Sequence, residues 1–173
     1  ITRERIRQIE NHGLAAVRES EAYERYVTAL EELKNAVANL GGVLAEETIL
    51  EEIAKTDADK NHIVFLLTVG HHFEDRRENS DFRGRWHTDE QLAEQVEEAL
   101  SNLHESIEPN NLTPEEEFLQ LFAKHLKAAG VKHRTDEVMT RWLVISKRVG
   151  KNPLGEWGRM DSPHVRIKNT RDF

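Results

Sequence analysis

Two tryptophans frame this sequence. Trp86 closes the run Phe82-Arg83-Gly84-Arg85-Trp86, and Trp157 closes Leu154-Gly155-Glu156-Trp157. Each stands in a short extended segment that follows three stretches of helical periodicity at a similar offset. A chain built this way reads as one unit used twice: helix, short strand, helix, helix, strand, turn, strand. Each half, about 65–80 residues, is just large enough for a small core. The match lies in element order and in the tryptophan, not in residue identity. Both indoles are expected to staple a hairpin onto the helices beside it.

In the first half, Ala22, Tyr26, Ala29, Leu30, Leu33, Val37 and Leu40 recur at spacings of three and four, which predicts one long helix from Glu21 to Leu40. Gly41-Gly42 ends it. Val43-Leu44 has room only for a small strand. Glu46 to Ala54 reads as a short helix with Ile49, Leu50 and Ile53 inward, and Thr56-Asp57-Ala58-Asp59 as a turn and cap. Asn61 to Val69 is the most hydrophobic segment of the chain. After Gly70, the runs His71–Glu78 and Phe82–Thr88 around Asn79-Ser80-Asp81 predict a β-hairpin.

In the second half, Leu92, Val96, Ala99, Leu100 and Leu103 mark a helix from Glu90 to Glu105. Thr113-Pro114-Glu115-Glu116-Glu117 reads as a helix start, with Thr as cap, Pro in the first position and acids in the first turn. That helix is expected to run to about Ala129, before Gly130. Another opens at Thr135 or Asp136 and continues through Met139, Trp142, Leu143, Ile145 and Val149. Gly150-Lys151-Asn152-Pro153 stops it, and Leu154–Met160 forms the closing strand.

The 173 residues carry a net charge of −8, which argues against a surface that binds nucleic acid all over. The charge is unevenly spread. Residues 1–18 hold four Arg against two Glu, residues 19–107 hold 8 basic against 21 acidic groups, and residues 141–173 hold 8 basic against 3 acidic. Basic ends therefore flank an acidic middle that would be repelled by phosphate backbones and would suit a basic protein partner. There is no cysteine, so disulfides, thiol catalysis and Cys-based zinc fingers are ruled out. With no signal peptide and no apolar run near the roughly 20 residues of a membrane span, the cytoplasm is the expected compartment and no membrane partner is expected.

The first ten residues are Ile1-Thr2-Arg3-Glu4-Arg5-Ile6-Arg7-Gln8-Ile9-Glu10. Ile6 and Ile9, three apart, suit docking on a helix's own domain, while the arginines and Gln8 reach elsewhere. Thr2 can cap the helix. From Thr2 to Glu10 the block closely resembles the second helix of the helix-turn-helix in region 4 of bacterial sigma-70 factors. Leu14, Val17 and Arg18 are similar to the tail of that helix. The resemblance implies DNA reading by Arg3, Glu4, Arg5, Arg7 and Gln8, with Arg and Gln on base edges and phosphates and Glu accepting from a cytosine amine. The motif's earlier helix is absent, so a chain opening at Ile1 on half of it is expected to be a fragment of something longer.

The run Ser146–Gly158, with its Gly-Glu-Trp-Gly strand, resembles the end of the winged-helix modules called HARE-HTH, found in the delta subunit of some bacterial RNA polymerases and in chromatin-linked proteins. Arg159-Met160-Asp161 stands where that family continues with apolar residues. The two resemblances imply a mainly α fold with small β-hairpins: tandem winged helix-turn-helix modules over residues 21–89 and 90–173, preceded by a long N-terminal helix, with residues 1–20 as the partial sigma-like motif.

The second set of DNA-contact candidates is Arg141, Lys147, Arg148, Lys151 and Arg159, around the third helix and wing of the second module. In the first wing Arg76, Arg77, Arg83 and Arg85 are largely cancelled by Glu74, Asp75, Glu78 and Asp81, which favours protein contact there. His62, His71 and His72 are not expected to form a metal site: no carboxylate or further His recurs at a ligand spacing on a firm helix, and adjacent histidines in a strand point to opposite faces. No nucleophile has an oriented base and no loop cradles phosphate, so no enzyme activity and no cofactor are expected. The sequence thus leads to a DNA-binding transcription regulator or a sigma-like factor that contacts promoter DNA, RNA polymerase or both. A protein-interaction module without DNA binding competes with it. A third reading is a helical scaffold or a dimerisation unit, a homodimer in which Glu21–Leu40 pairs between chains.

Overall fold

The computed structural model describes residues 2–132, 134–163 and 165. Ile1, His133, His164 and residues 166–173 lie outside it. The chain is mainly helical, with two small antiparallel sheets.

Helix α1 (Arg3–Glu19) starts at Thr2, whose hydroxyl accepts from the Arg5 N–H at 3.2 Å. Ser20 ends it. The single helix expected from Glu21 to Leu40 is instead two, α2 (Glu21–Glu24) and α3 (Val27–Leu40), separated at Arg25-Tyr26. The break accompanies the docking of two rings: Tyr23 meets His71 edge-on at 5.7 Å, and Tyr26 meets Phe65 at 6.0 Å. Strand β1 (Val43–Ala45) and helix α4 (Glu46–Ile53) follow as expected. Helix α5 (Asp57–Val69) opens on a capping box between Thr56 and Asp59. The hairpin pairs β2 (Glu74–Arg76) with β3 (Arg85–His87). Its strands are shorter than the sequence suggests, and His71 and His72 sit in the turn after α5 rather than in a strand.

The second unit repeats this order. Helix α6 (Glu90–Ser106), strand β4 (Thr113–Pro114), helix α7 (Glu115–Ala128), helix α8 (Asp136–Ile145), and strands β5 (Val149–Lys151) and β6 (Glu156–Arg159) complete the chain. Two boundaries move. Thr113 does not cap α7: it pairs with Trp157 in the sheet, so its backbone is extended and Pro114 stands at the helix entrance. Helix α8 ends at Ile145, not Val149, because Ser146 is extended and bridges to Phe82 of the first unit. Leu154, expected in the last strand, stands 84% exposed in the turn before it.

Both sheets place the last strand in the middle, in the orders β1-β3-β2 and β4-β6-β5. The register is equivalent as well: Leu44 lies opposite Trp86, and Thr113 opposite Trp157. Alternation along β1 then joins the two halves. Leu44 enters the first core with Leu30, Val37, Ile49, Leu67 and Trp86. Its neighbours Val43 and Ala45 point the other way, into the second core with Val96, Leu100, Phe118, Trp142 and Leu143. All three strand residues are fully buried.

Polar contacts reinforce that junction. The Trp142 indole donates to the Gly41 carbonyl at 3.1 Å. The Arg83 guanidinium donates to the carbonyls of Val144 and Ser146, satisfying acceptors left open at the end of α8. Arg85, buried on β3, forks onto Glu97 of α6 at 2.9 and 2.8 Å. The apolar face of α3 (Leu30, Leu33, Val37), in the segment expected to pair two chains, is buried in the chain's own core, while Val27 at its start is 45% exposed.

Candidate functional site

Helix α1 buries none of its residues. The expected docking of Ile6 and Ile9 on the body does not occur: they are 46% and 53% exposed. Among the described residues, its hydrogen bonds to the body lie near its end, where the half-buried Arg18 donates from Nε to the Val69 carbonyl at 2.8 Å and from Nη2 to Gly70 at 3.4 Å. Those carbonyls close α5, a favourable place for a cation.

Along the outer face, Arg7 forks onto Glu4 at 3.1 and 2.6 Å. The hydrogen bond from Arg7, with a smaller one from Gln8, holds the Glu4 carboxyl below its usual range, and the same contact raises Arg7. Arg3 and Arg5 meet no carboxylate among the described residues. Arg77, in the loop after β2, comes to the same place. With Arg3, Glu4, Ile6, Arg7 and Glu10 it surrounds a hollow of about 370 Å³. The structure thus gathers Arg3, Glu4 and Arg7 of the first candidate set at one cleft, with Arg5 and Gln8 exposed on the same helix.

The first hairpin's other arginines are neutralised differently from the sequence expectation. Arg85 and Arg76 share Glu97 of α6, Arg76 at 3.3 Å, and Arg83 is spent on backbone carbonyls. Partners distant in sequence, not Glu74 and Asp75 alongside, hold them.

Each member of the second candidate set has an acidic neighbour. Arg141 donates to the Leu40 carbonyl at 3.2 Å and lies 3.6 Å from Glu52, which makes it a tie between the halves. Lys147 donates to the Asn79 carbonyl at 3.2 Å with Glu78 at 3.4 Å, and Arg148 is 3.6 Å from Asp81. Lys151 is 3.5 Å from Glu115, and Arg159 forks onto Asp161 at 3.1 and 2.8 Å. Lys147, Arg148 and Arg159 do converge, around a hollow of about 210 Å³ with His104. Burial, and then the positive Arg148 and Arg159, keep the His104 ring below the usual histidine range.

The sequence reading missed a third basic group. Lys124 and Lys127 on α7, with Lys132 and Arg134 in the turn before α8, are all exposed and ring a larger hollow of about 510 Å³. Lysines three apart followed by two more cations were visible in the sequence, but Glu115-Glu116-Glu117 on the same helix hid them in the regional charge.

His71 lies against Tyr23, His62 against Tyr26, and His72 sits 3.1 Å from Glu31. Among the described residues no three of His, Asp and Glu converge on a point where a metal could sit, and no helix is long and apolar enough to cross a membrane. No family model, curated protein or solved structure matches the chain.

Proposed function

We propose that this is a DNA-contacting transcription protein, either a regulator or a sigma-like factor associated with RNA polymerase. In this reading α1 is the reading helix, and residues 21–89 and 90–173 are tandem winged-helix modules that carry it. The observation that supports it most is the outer face of α1. Arg3 and Arg5 are solvent-exposed and pair with no carboxylate among the described residues, and Arg77 stands across the adjoining hollow. An arginine free of carboxylates can fork onto a guanine edge or a phosphate without first breaking an ion pair.

The shared element order supports the modular part of the reading: once the short α2 is set aside, each unit has three helices and a three-stranded sheet whose last strand is central. The test is fluorescence anisotropy of the whole chain on labelled duplex DNA across a salt series. The expected result is an affinity that falls steeply with salt and is lost in Arg5→Ala with Arg7→Ala. A folded protein with no measurable binding overturns it.

A second reading is favoured by the ion pairing of Lys147, Arg148, Lys151 and Arg159. It makes the two units a protein-interaction body that touches no DNA.

A further inference from the structure

The hollow between α7 and α8 differs from every other concavity described above. Leu126, Val131 and Met139, all buried in the second core, form its floor, with Ala123 on the wall. Lys124, Lys127, Lys132 and Arg134 stand around it, and among the described residues no carboxylate lines it. At about 510 Å³ it lies within the roughly 300–1,000 Å³ of ordinary ligand pockets.

Its cations are also left without carboxylate partners among the described residues. Lys147, Arg148, Lys151 and Arg159 in the same unit are each within 4 Å of a carboxylate. None of the four rim cations is so placed among the described residues. Four unpaired positive charges within one turn and a half-helix repel one another, and a bound anionic group would relieve that repulsion. An apolar floor adds a second demand. A phosphate backbone would leave Leu126, Val131 and Met139 in contact with charged oxygens and water, gaining nothing from them. An apolar side chain seated on that floor would be removed from water, at about 25 cal/mol for each Å² buried.

From these two demands we infer that the α7–α8 hollow is a docking site for an acidic, amphipathic segment of a partner protein. Its apolar residues seat on Leu126, Val131 and Met139, and its carboxylates face Lys124, Lys127, Lys132 and Arg134. The site shares no residue with α1, so it can be occupied while α1 engages another partner, and it goes beyond the DNA-contact reading. Binding would follow the helix-in-groove pattern, with anchors at i, i+3, i+4 and i+7.

The test uses the full chain and a synthetic fluorescein-labelled peptide with Leu and Phe at those anchor positions and Glu elsewhere. Anisotropy measures affinity, and amide chemical shifts map the contact. A second peptide keeps every Glu and replaces Leu and Phe by Ser, and a labelled DNA duplex makes a third arm. The first peptide is expected to bind, to shift amides of the α7–α8 turn, and to lose affinity roughly tenfold or more in Lys124→Glu with Lys127→Glu. Ala123→Trp, which fills the hollow and leaves the charge unchanged, is expected to weaken it comparably. The urea midpoint of each variant reports that it is still folded. Equal binding of the serine peptide overturns the inference, because charge alone would then explain the contact. So does duplex DNA shifting these amides in place of the peptide, or affinity unchanged in both variants. Failure of DNA binding through α1 leaves all of these readouts intact.

Discussion

The Trp86 indole donates to the Glu46 carboxylate at 3.0 Å, from the central strand of the first sheet to the first residue of α4. Trp157 makes the same bond to Glu115 at 3.3 Å, from the central strand of the second sheet to the first residue of α7. In both cases the acceptor is an acid at a helix N-terminus, where the helix dipole favours it. The indoles are nearly buried, at 8% and 5% exposed. Each unit is therefore closed by one tryptophan whose N–H has a single charged acceptor.

Removing that acceptor is expected to cost more than weakening it. Glu46→Ala leaves a buried donor unsatisfied and should lower stability by about 1–3 kcal/mol. Glu46→Gln keeps an acceptor oxygen and should cost less. Urea midpoints decide it, and an alanine variant no worse than the glutamine one would remove the staple from the account.

The Arg85–Glu97 pair is deeper still. Arg85 is 4% exposed and stacks over Phe82 with its guanidinium carbon 4.9 Å from the ring centre. Glu97→Ala strands that buried charge, and also takes a partner from Arg76. The expected loss is about 3–5 kcal/mol. Replacing both partners, as Arg85→Met with Glu97→Leu, is expected to recover most of it. A double variant as unstable as Glu97→Ala would show that lost packing, not an unpaired charge, is responsible.

Much of the helical frame was legible because its cues are local. The Thr56 cap, the Gly41-Gly42 stop and the apolar spacing of α6 each work within a turn or two. The tryptophan staples were legible for another reason, since two indoles at matching offsets signal one structural job done twice. What misled lies in long-range pairing. Thr113-Pro114 has every local mark of a helix start, but the backbone of Thr113 is claimed by Trp157, far along the chain. The end of α8 is set by Phe82 and Arg83, over sixty residues earlier. The candidate site suffered similarly: Arg141, Lys147 and Arg148 looked like free cations until folding brought Glu52, Glu78 and Asp81 beside them. Sequence order cannot reveal such neighbours, whereas the fork between Arg7 and Glu4, three residues apart, was within its reach.

Gly41 is a point where the two halves constrain each other. Its backbone has φ of 155°, and an added Cβ would lie 2.9 Å from the Trp142 indole nitrogen. Gly41→Ala is expected to cost about 1–3 kcal/mol by forcing that conformation on an L-residue and pushing the indole away. Trp142→Phe keeps most of the packing and loses only the bond to the Gly41 carbonyl, at about 1 kcal/mol. Both variants should unfold in a single transition, since β1 and Trp142 belong to a shared core. Two separated transitions would mean that the halves fold independently.

Two buried histidines predict how stability depends on pH. His87 is lowered chiefly by burial, with Arg76 adding to the effect against Glu74, Glu90 and Glu97. It is therefore neutral at pH 7, and its 3.7 Å approach to Glu74 is no ion pair there. His104 is lowered by burial and by Arg148 and Arg159, against Asp161 and Asp81. In both cases the unfolded chain, near its ordinary value of about 6.5, takes up the proton more readily than the folded one. Their contribution is thus fully present above that value and is lost as pH falls through it, by at most about 1.4 kcal/mol per pH unit for each ring. Urea midpoints measured from pH 7.5 to about 5 should decline for the native chain and stay nearly level for His87→Gln with His104→Gln, above the range where carboxylates titrate. Parallel declines in the two proteins would assign the acid sensitivity to other groups.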